Sequence, residues 1–224
     1  MNRRENGPAL CHRVGSRFAR KVEARWPSQR LDARTFRTGF VHLTRERKEY
    51  SSPDFLTQKL DRVVSAFEVL KEILTSGIIR ASGNEGYVKG SRPAVCLSEI
   101  PFSAMHQFAT PPSEEKARYR FYGVAVSKRS VFEADGRPVI YLPDAEATWI
   151  PAEEKWRHVR FDERVDFTHE REWRVQGDLD LKNVRGLYLI VWSATEAKEL
   201  VKLVTPLDTK IRGILPMEHI SEML

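Results

Sequence analysis

Between residues 52 and 77 the apolar side chains Leu56, Leu60, Val63, Val64, Phe67, Leu70 and Leu74 recur at three- and four-residue spacing. That period is the mark of an amphipathic helix, and one face of it must be buried against a sheet. Ser52 suits the N-cap, Pro53 the first turn, and Asp54 the positive end of the dipole. Gly77 suits a left-handed C-terminal cap. The spacing therefore predicts a helix over 52–77, which fixes one layer of the fold.

The rest of the chain reads mainly as strands. Gly39 to Thr44 (GFVHLT) is a short one. Residues 80–93, with Gly83, Gly86 and Gly90, form a loop. Strands follow at Pro93–Ser98, Tyr119–Val126 and Arg137–Leu142, the last opened by Pro138 and closed by Pro143. A short helix runs through Ser103 to Phe108, and Thr110-Pro111-Pro112 breaks the chain. Residues 144–165 carry no assignable pattern. Gly186–Trp192 is an apolar central strand. Ser193 with Glu196 makes a capping box for a helix to Val204, and Ile211–Leu215 is a last strand. Many strands, few helices and no regular alternation predict an α+β domain with a mixed, mostly antiparallel sheet and flanking helices over 39–224.

Charge separates residues 1–38 from that domain. The arm holds ten Lys/Arg against three Asp/Glu, a net of +7, whereas the remainder is at −1. The pI of 9.4 thus reports the arm. Such an arm can hold nucleic acid through phosphates, or be a leader without a specific role. Apolar content of 41% and charged content of 30% suit a soluble globular protein. No apolar run approaches the roughly 20 residues of a membrane span, and no secretory signal precedes the domain. Cys11 and Cys96 make no disulfide framework, so a cytoplasmic location is expected.

The segment Phe167 to Val175 (FTHEREWRV) reads as a strand. On it Glu170, Glu172 and Arg174 share one face, while Arg171, Trp173 and Val175 share the other. A face with two carboxylates and a guanidinium borders water or a ligand. It fits either a solvated edge strand or the carboxylate layout that NAD-consuming transferases place around the nicotinamide ribose. His42, His106, His158 and His169 lack close metal-ligand spacing, so no metal site is expected. There is no Gly-x-Ser-x-Gly elbow, Walker loop or Gly-x-Gly-x-x-Gly. A metal-dependent nuclease has acidic candidates in Asp162, Glu163, Asp166 and Glu170, but Arg stands where a Lys is usual.

Taken in order, the His42 strand, Ile73–Ile79, Ala94–Pro101, Tyr122–Lys128, Gly136–Tyr141 and Glu170–Arg174 form a series that resembles the bacterial abortive-infection AbiGi-type family. The resemblance covers roughly residues 39–192. It implies a role in phage defence, in some cases as the antitoxin half of a toxin–antitoxin pair, acting on a cognate protein. More loosely, His42, the Leu70–Gly77 stretch and Glu170/Glu172 resemble the ADP-ribosyltransferase fold. That likeness implies NAD as substrate and gives each residue an expected role. Glu172 faces the developing positive charge and Glu170 orients the acceptor. His42 and Thr44, on the opening strand, meet the NAD ribose or diphosphate. Ser98 supports the nicotinamide, Arg45 or Arg80 meets the pyrophosphate, and Tyr122 is a candidate ring contact. The Ser-Thr-Ser strand of that fold is missing, with Cys96-Leu97-Ser98 nearest to it, which favours instead a non-catalytic binding protein.

Overall fold

The computed structural model describes residues 39–51, 59–83, 87–101, 104–105, 109, 119–203 and 205–218. The arm 1–38, the helix start expected at Ser52–Leu56, most of the helix expected at 103–108 and the break at Thr110–Pro112 lie outside the described residues.

In chain order the elements are β1 (Gly39–Leu43), β2 (Arg47–Tyr50), β3 (Leu60–Val64), α1 (Ala66–Ser76), β4 (Ile78–Ile79), β5 (Ala94–Ser98), β6 (Gly123–Ser127), α2 (Lys128–Glu133), β7 (Arg137–Pro138), β8 (Ile140–Leu142), β9 (His158–Arg160), β10 (Glu172–Gln176), β11 (Leu179–Asp180), β12 (Leu187–Val191), α3 (Ala194–Lys202) and β13 (Ile211–Pro216). Seven strands form one sheet in the order β13-β12-β6-β1-β5-β10-β7. Within it β12 and β13 run parallel and the other pairs antiparallel. The chain is an α+β domain with a mixed, mostly antiparallel sheet.

Strand alternation assigns the faces. Phe40, Val95, Leu97, Val124, Val126 and Val175 point to one side, where they meet Leu70, Ile73 and Leu74 of α1 and Ala197 and Leu200 of α3. Burying a leucine such as Leu70 contributes about 2 kcal/mol. The other face carries a smaller cluster of Val41, Met105, Phe121, Ile190 and Met217.

The long helix predicted from periodicity is half its expected length. α1 starts at Ala66, with the Ser65 side chain accepting the Glu68 N–H at 3.2 Å. Leu60, Val63 and Val64 instead belong to β3, paired antiparallel with β2. Their spacing is helical, but in the strand only Val64 is buried while Leu60 and Val63 stay exposed, and the β-branched pair favours the pleated form. Arg47 ties this hairpin to the helix through Glu72 at 2.9 Å. Gly77 does end α1, in the left-handed region at φ 75° with its N–H on Ile73 O. Ser193 and Glu196 form the reciprocal capping box of α3. The unassigned stretch 144–165 holds two 3-10 turns, Ala147–Trp149 and Ala152–Arg157, and β9.

Candidate functional site

β1 pairs with β6 along its whole length, from Gly39↔Ser127 to Leu43↔Gly123, but with β5 only at Val41↔Ser98. Beyond that point the two strands part. A cleft of about 1330 Å³ lies there, with His42, Thr44, Arg45, Arg80, Ser98, Glu170 and Glu172 on its walls.

His42 spans the gap. Its Nδ1 lies 2.9 Å from the Cys96 carbonyl, which accepts the ring N–H. Burial lowers the imidazole pKa; the Cys96 carbonyl opposes that, and the Arg45 charge adds to it. The ring is therefore neutral at pH 7, with Nδ1 protonated and Nε2 left as an acceptor.

β10 presents the acid. In register, Glu172 stands opposite Ser98 and Arg174 opposite Cys96, so all four share one face of the sheet. Glu172 and Arg174 are 8% and 2% exposed. Arg174 Nε donates to Oε1 at 2.8 Å and Nη2 to Oε2 at 3.4 Å, while Nη1 donates to Trp156 O at 2.6 Å. The Glu172 N–H donates to the Tyr141 hydroxyl at 3.0 Å; burial pushes that phenol up to about 12. A carboxylate has about four acceptor positions, so Glu172 keeps capacity for a ligand hydroxyl beside its two bonds to Arg174.

Glu170 reaches the same cleft by another route than the one its spacing predicts. The strand starts at Glu172, and Thr168–Glu170 is a 3-10 turn ended by Arg171 at φ 45°. A left-handed residue breaks the alternation, so Glu170 is off the strand yet on the cleft wall. The turn is set by Asp166, whose Oδ1 accepts the Thr168 N–H at 2.8 Å and hydroxyl at 2.6 Å. That Asp-x-Thr signal is present in the sequence.

The remaining expected residues divide. Ser98 ends β5 half-buried, on the cleft. Arg45 is exposed on the rim with no ion-pair partner among the described residues. Arg80 lines the cleft but is paired with Asp178 at 2.6 Å. Thr44 lines it too, but its hydroxyl is committed to Ala66 O at 2.7 Å, pinning the end of β1 to the start of α1. Tyr122 does not line this cleft. It packs in the main core against Phe67, and its hydroxyl donates to Glu196 Oε1 at 2.6 Å, so its role is structural.

Other cleft residues were not singled out by sequence. Lys89 contacts the Asp144 carboxylate and lies 3.4 Å from Nδ1 of the buried His158, whose Nε2–H donates to Leu142 O at 2.9 Å. Lys89 holds the Asp144 carboxyl below its ordinary range. Cys96 adjoins the Glu172–Arg174 pair; burial pushes its thiol up and the Glu172 charge reinforces this, so it is no thiolate nucleophile. The aromatic rings of Tyr87 and Phe167 are also on the cleft. Nothing in the local sequence brings 87–89 and 144 together: Val88 packs with Trp156, just before β9, and the parallel β8–β9 pairing sets His158 beside the end of β8.

Among the described residues, no group of three or more His, Cys, Asp or Glu side chains is arranged to hold a metal ion, and no helix is long and apolar enough to cross a membrane. No family model matches the chain, and neither a curated protein nor a solved structure matches it.

Proposed function

We propose that the cleft binds NAD and that the protein transfers ADP-ribose to a macromolecular target, as a cytoplasmic phage-defence protein of the abortive-infection kind. One observation carries this reading: a neutral imidazole, reaching in from the opposite face of the sheet, joins a hydroxyl and two carboxylates, from positions 42, 98, 170 and 172, on the walls of one hollow. Ligand pockets commonly run about 300–1,000 Å³. At about 1330 Å³ this one has room for a dinucleotide and an acceptor group together.

The chemistry follows from the walls. Arg45, on the rim with no ion-pair partner among the described residues, meets the diphosphate, and Arg80 on the same cleft assists. His42 Nε2 accepts a ribose hydroxyl. Ser98, beside Glu172, supports the nicotinamide amide. The bond from ribose C1′ to the nicotinamide nitrogen breaks and its electron pair leaves with the ring. A bond forms from C1′ to the acceptor, whose proton passes to Glu170. The transition state has oxocarbenium character, and Glu172 stabilises it more than the ground state. Arg174 fixes the rotamer of that carboxylate.

The same clamp favours a second reading. A carboxylate held by a buried guanidinium is also what a purely structural ion pair looks like. On that reading the protein binds a cognate partner of a defence system, as an antitoxin does, without catalysis. Purified protein incubated with NAD and bacterial lysate separates the two. Nicotinamide release is expected, and Glu172→Gln should lower it about 100-fold, the scale of losing one transition-state partner. Equal release by the two proteins, or none by either, defeats the enzyme reading. A partner that co-purifies with both would then support the binding one.

A further inference from the structure

We propose that the acceptor is a single-stranded nucleic acid whose unpaired bases stack on Tyr87 and Phe167 while its phosphates follow the basic rim of the cleft. This rests on the transferase reading above and names its substrate class.

Two independent features point there. The first is aromatic. Tyr87 is 76% exposed and Phe167 36% exposed, and both line the cleft that holds Glu170 and Glu172. Tyr87 sits at φ 63°, a left-handed conformation that costs a non-glycine residue about 1–2 kcal/mol. Its ring is held outward, so packing inside the protein does not repay that strain. Exposed rings at a cleft mouth are stacking platforms, since every base has a π-face.

The second is charge. Seven basic side chains line the cleft against four carboxylates. Five of the seven are ion-paired: Arg174 with Glu172, Lys89 with Asp144, Arg47 with Glu72, Arg80 with Asp178 and Arg160 with Asp162. Arg45 and Lys48 are exposed and have no ion-pair partner among the described residues. Free cations beside exposed rings match a phosphate backbone carrying accessible bases. An acidic peptide would satisfy the cations but gives the two rings nothing to stack on. A duplex offers the phosphates but keeps its bases stacked inside, out of reach of the carboxylates. The acceptor atom is accordingly a base nitrogen or a sugar hydroxyl, which bonds to C1′ and yields its proton to Glu170.

The test uses the full chain and fluorescein-labelled oligonucleotides of about 12 nucleotides, within the range that such grooves cover. They are single-stranded DNA, single-stranded RNA and the DNA duplex, compared by anisotropy at fixed salt. The expected result is tighter binding of a single strand than of the duplex. Tyr87→Ala with Phe167→Ala should weaken single-strand binding about tenfold or more, and Tyr87→Ala alone, at a ring 76% exposed, should weaken it with the unfolding midpoint unchanged. Arg45→Gln with Lys48→Gln should reduce the salt slope by about two. The DNA and RNA arms tell which sugar is preferred. Equal binding by wild type and the ring variant, or equal binding of duplex and single strand, overturns the proposal, the arm 1–38 then supplying phosphate contacts alone. With NAD added, ADP-ribose found on the oligonucleotide by mass spectrometry supports it. Label on lysate protein alone, with nicotinamide still released, overturns the acceptor while leaving the transferase reading intact. Absence of nicotinamide release under every condition removes both.

Discussion

Burial keeps the His42 imidazole uncharged at the seam between β1 and β5, and that has a consequence for acid stability. Its pKa in the folded chain is below the ordinary 6.5, so below that pH the unfolded chain takes up the proton more readily. The stabilisation is complete above about pH 6.5 and is lost as pH falls from there toward the lowered value. The loss has a ceiling of about 1.4 kcal/mol per pH unit for one group. Urea midpoints between pH 7.5 and 5 should therefore fall in wild type, and a His42→Asn variant should show a flatter profile. Parallel profiles would mean that the ring is not buried neutral. At this scale much of the site is legible in sequence. His42, Ser98, Glu170 and Glu172 are chemistry-bearing residues on or beside strands. Thr44 is on the cleft wall with its hydroxyl on a backbone carbonyl, whereas Tyr122 lies off it with its hydroxyl on a capping glutamate. Only three-dimensional neighbours decide that.

Turns set where strands begin, and β10 begins because Arg171 adopts φ 45°. An arginine there carries backbone strain of about 1–2 kcal/mol. Its guanidinium pairs with Glu99 at 3.0 Å while 61% exposed, a geometry of little net worth. Arg171→Gly should thus leave stability unchanged or raise it by up to about 1 kcal/mol, measured as the urea midpoint. A clear loss would show that the ion pair outweighs the strain. Caps were legible as elements: Gly77 and the Ser193–Glu196 box stand where local chemistry requires them. The helix start was not. Leu60, Val63 and Val64 carry the helical spacing, yet the hairpin with β2, tied by Arg47 to Glu72, makes them a strand at long range. The residues of 144–165 gave no pattern because 3-10 turns have no apolar period to display.

Across the molecule, the sheet depends on one close approach. A Cβ on Gly123 would come within 2.2 Å of the His42 carbonyl oxygen, so β6 can lie against β1 only with glycine there. Gly123→Ala should push the strands apart, cost about 3 kcal/mol and disturb the His42 end of the cleft. An unfolding midpoint equal to wild type would contradict that close contact. The α+β class and the antiparallel bias could be read from the succession of strands. The sheet order could not, because β1 is flanked by β5 and β6 rather than by β2, and no local signal encodes such distant pairing.

That order has a bearing on the life of the protein in a cell. The hollow takes its first wall from residue 41 and its last from residue 174, so neither half of the polypeptide encloses it alone. A nascent chain halted on the ribosome before β10 emerges, like a fragment ending anywhere between the two, lacks one of those walls. Whatever the hollow binds, it can do so only once synthesis has delivered both sides.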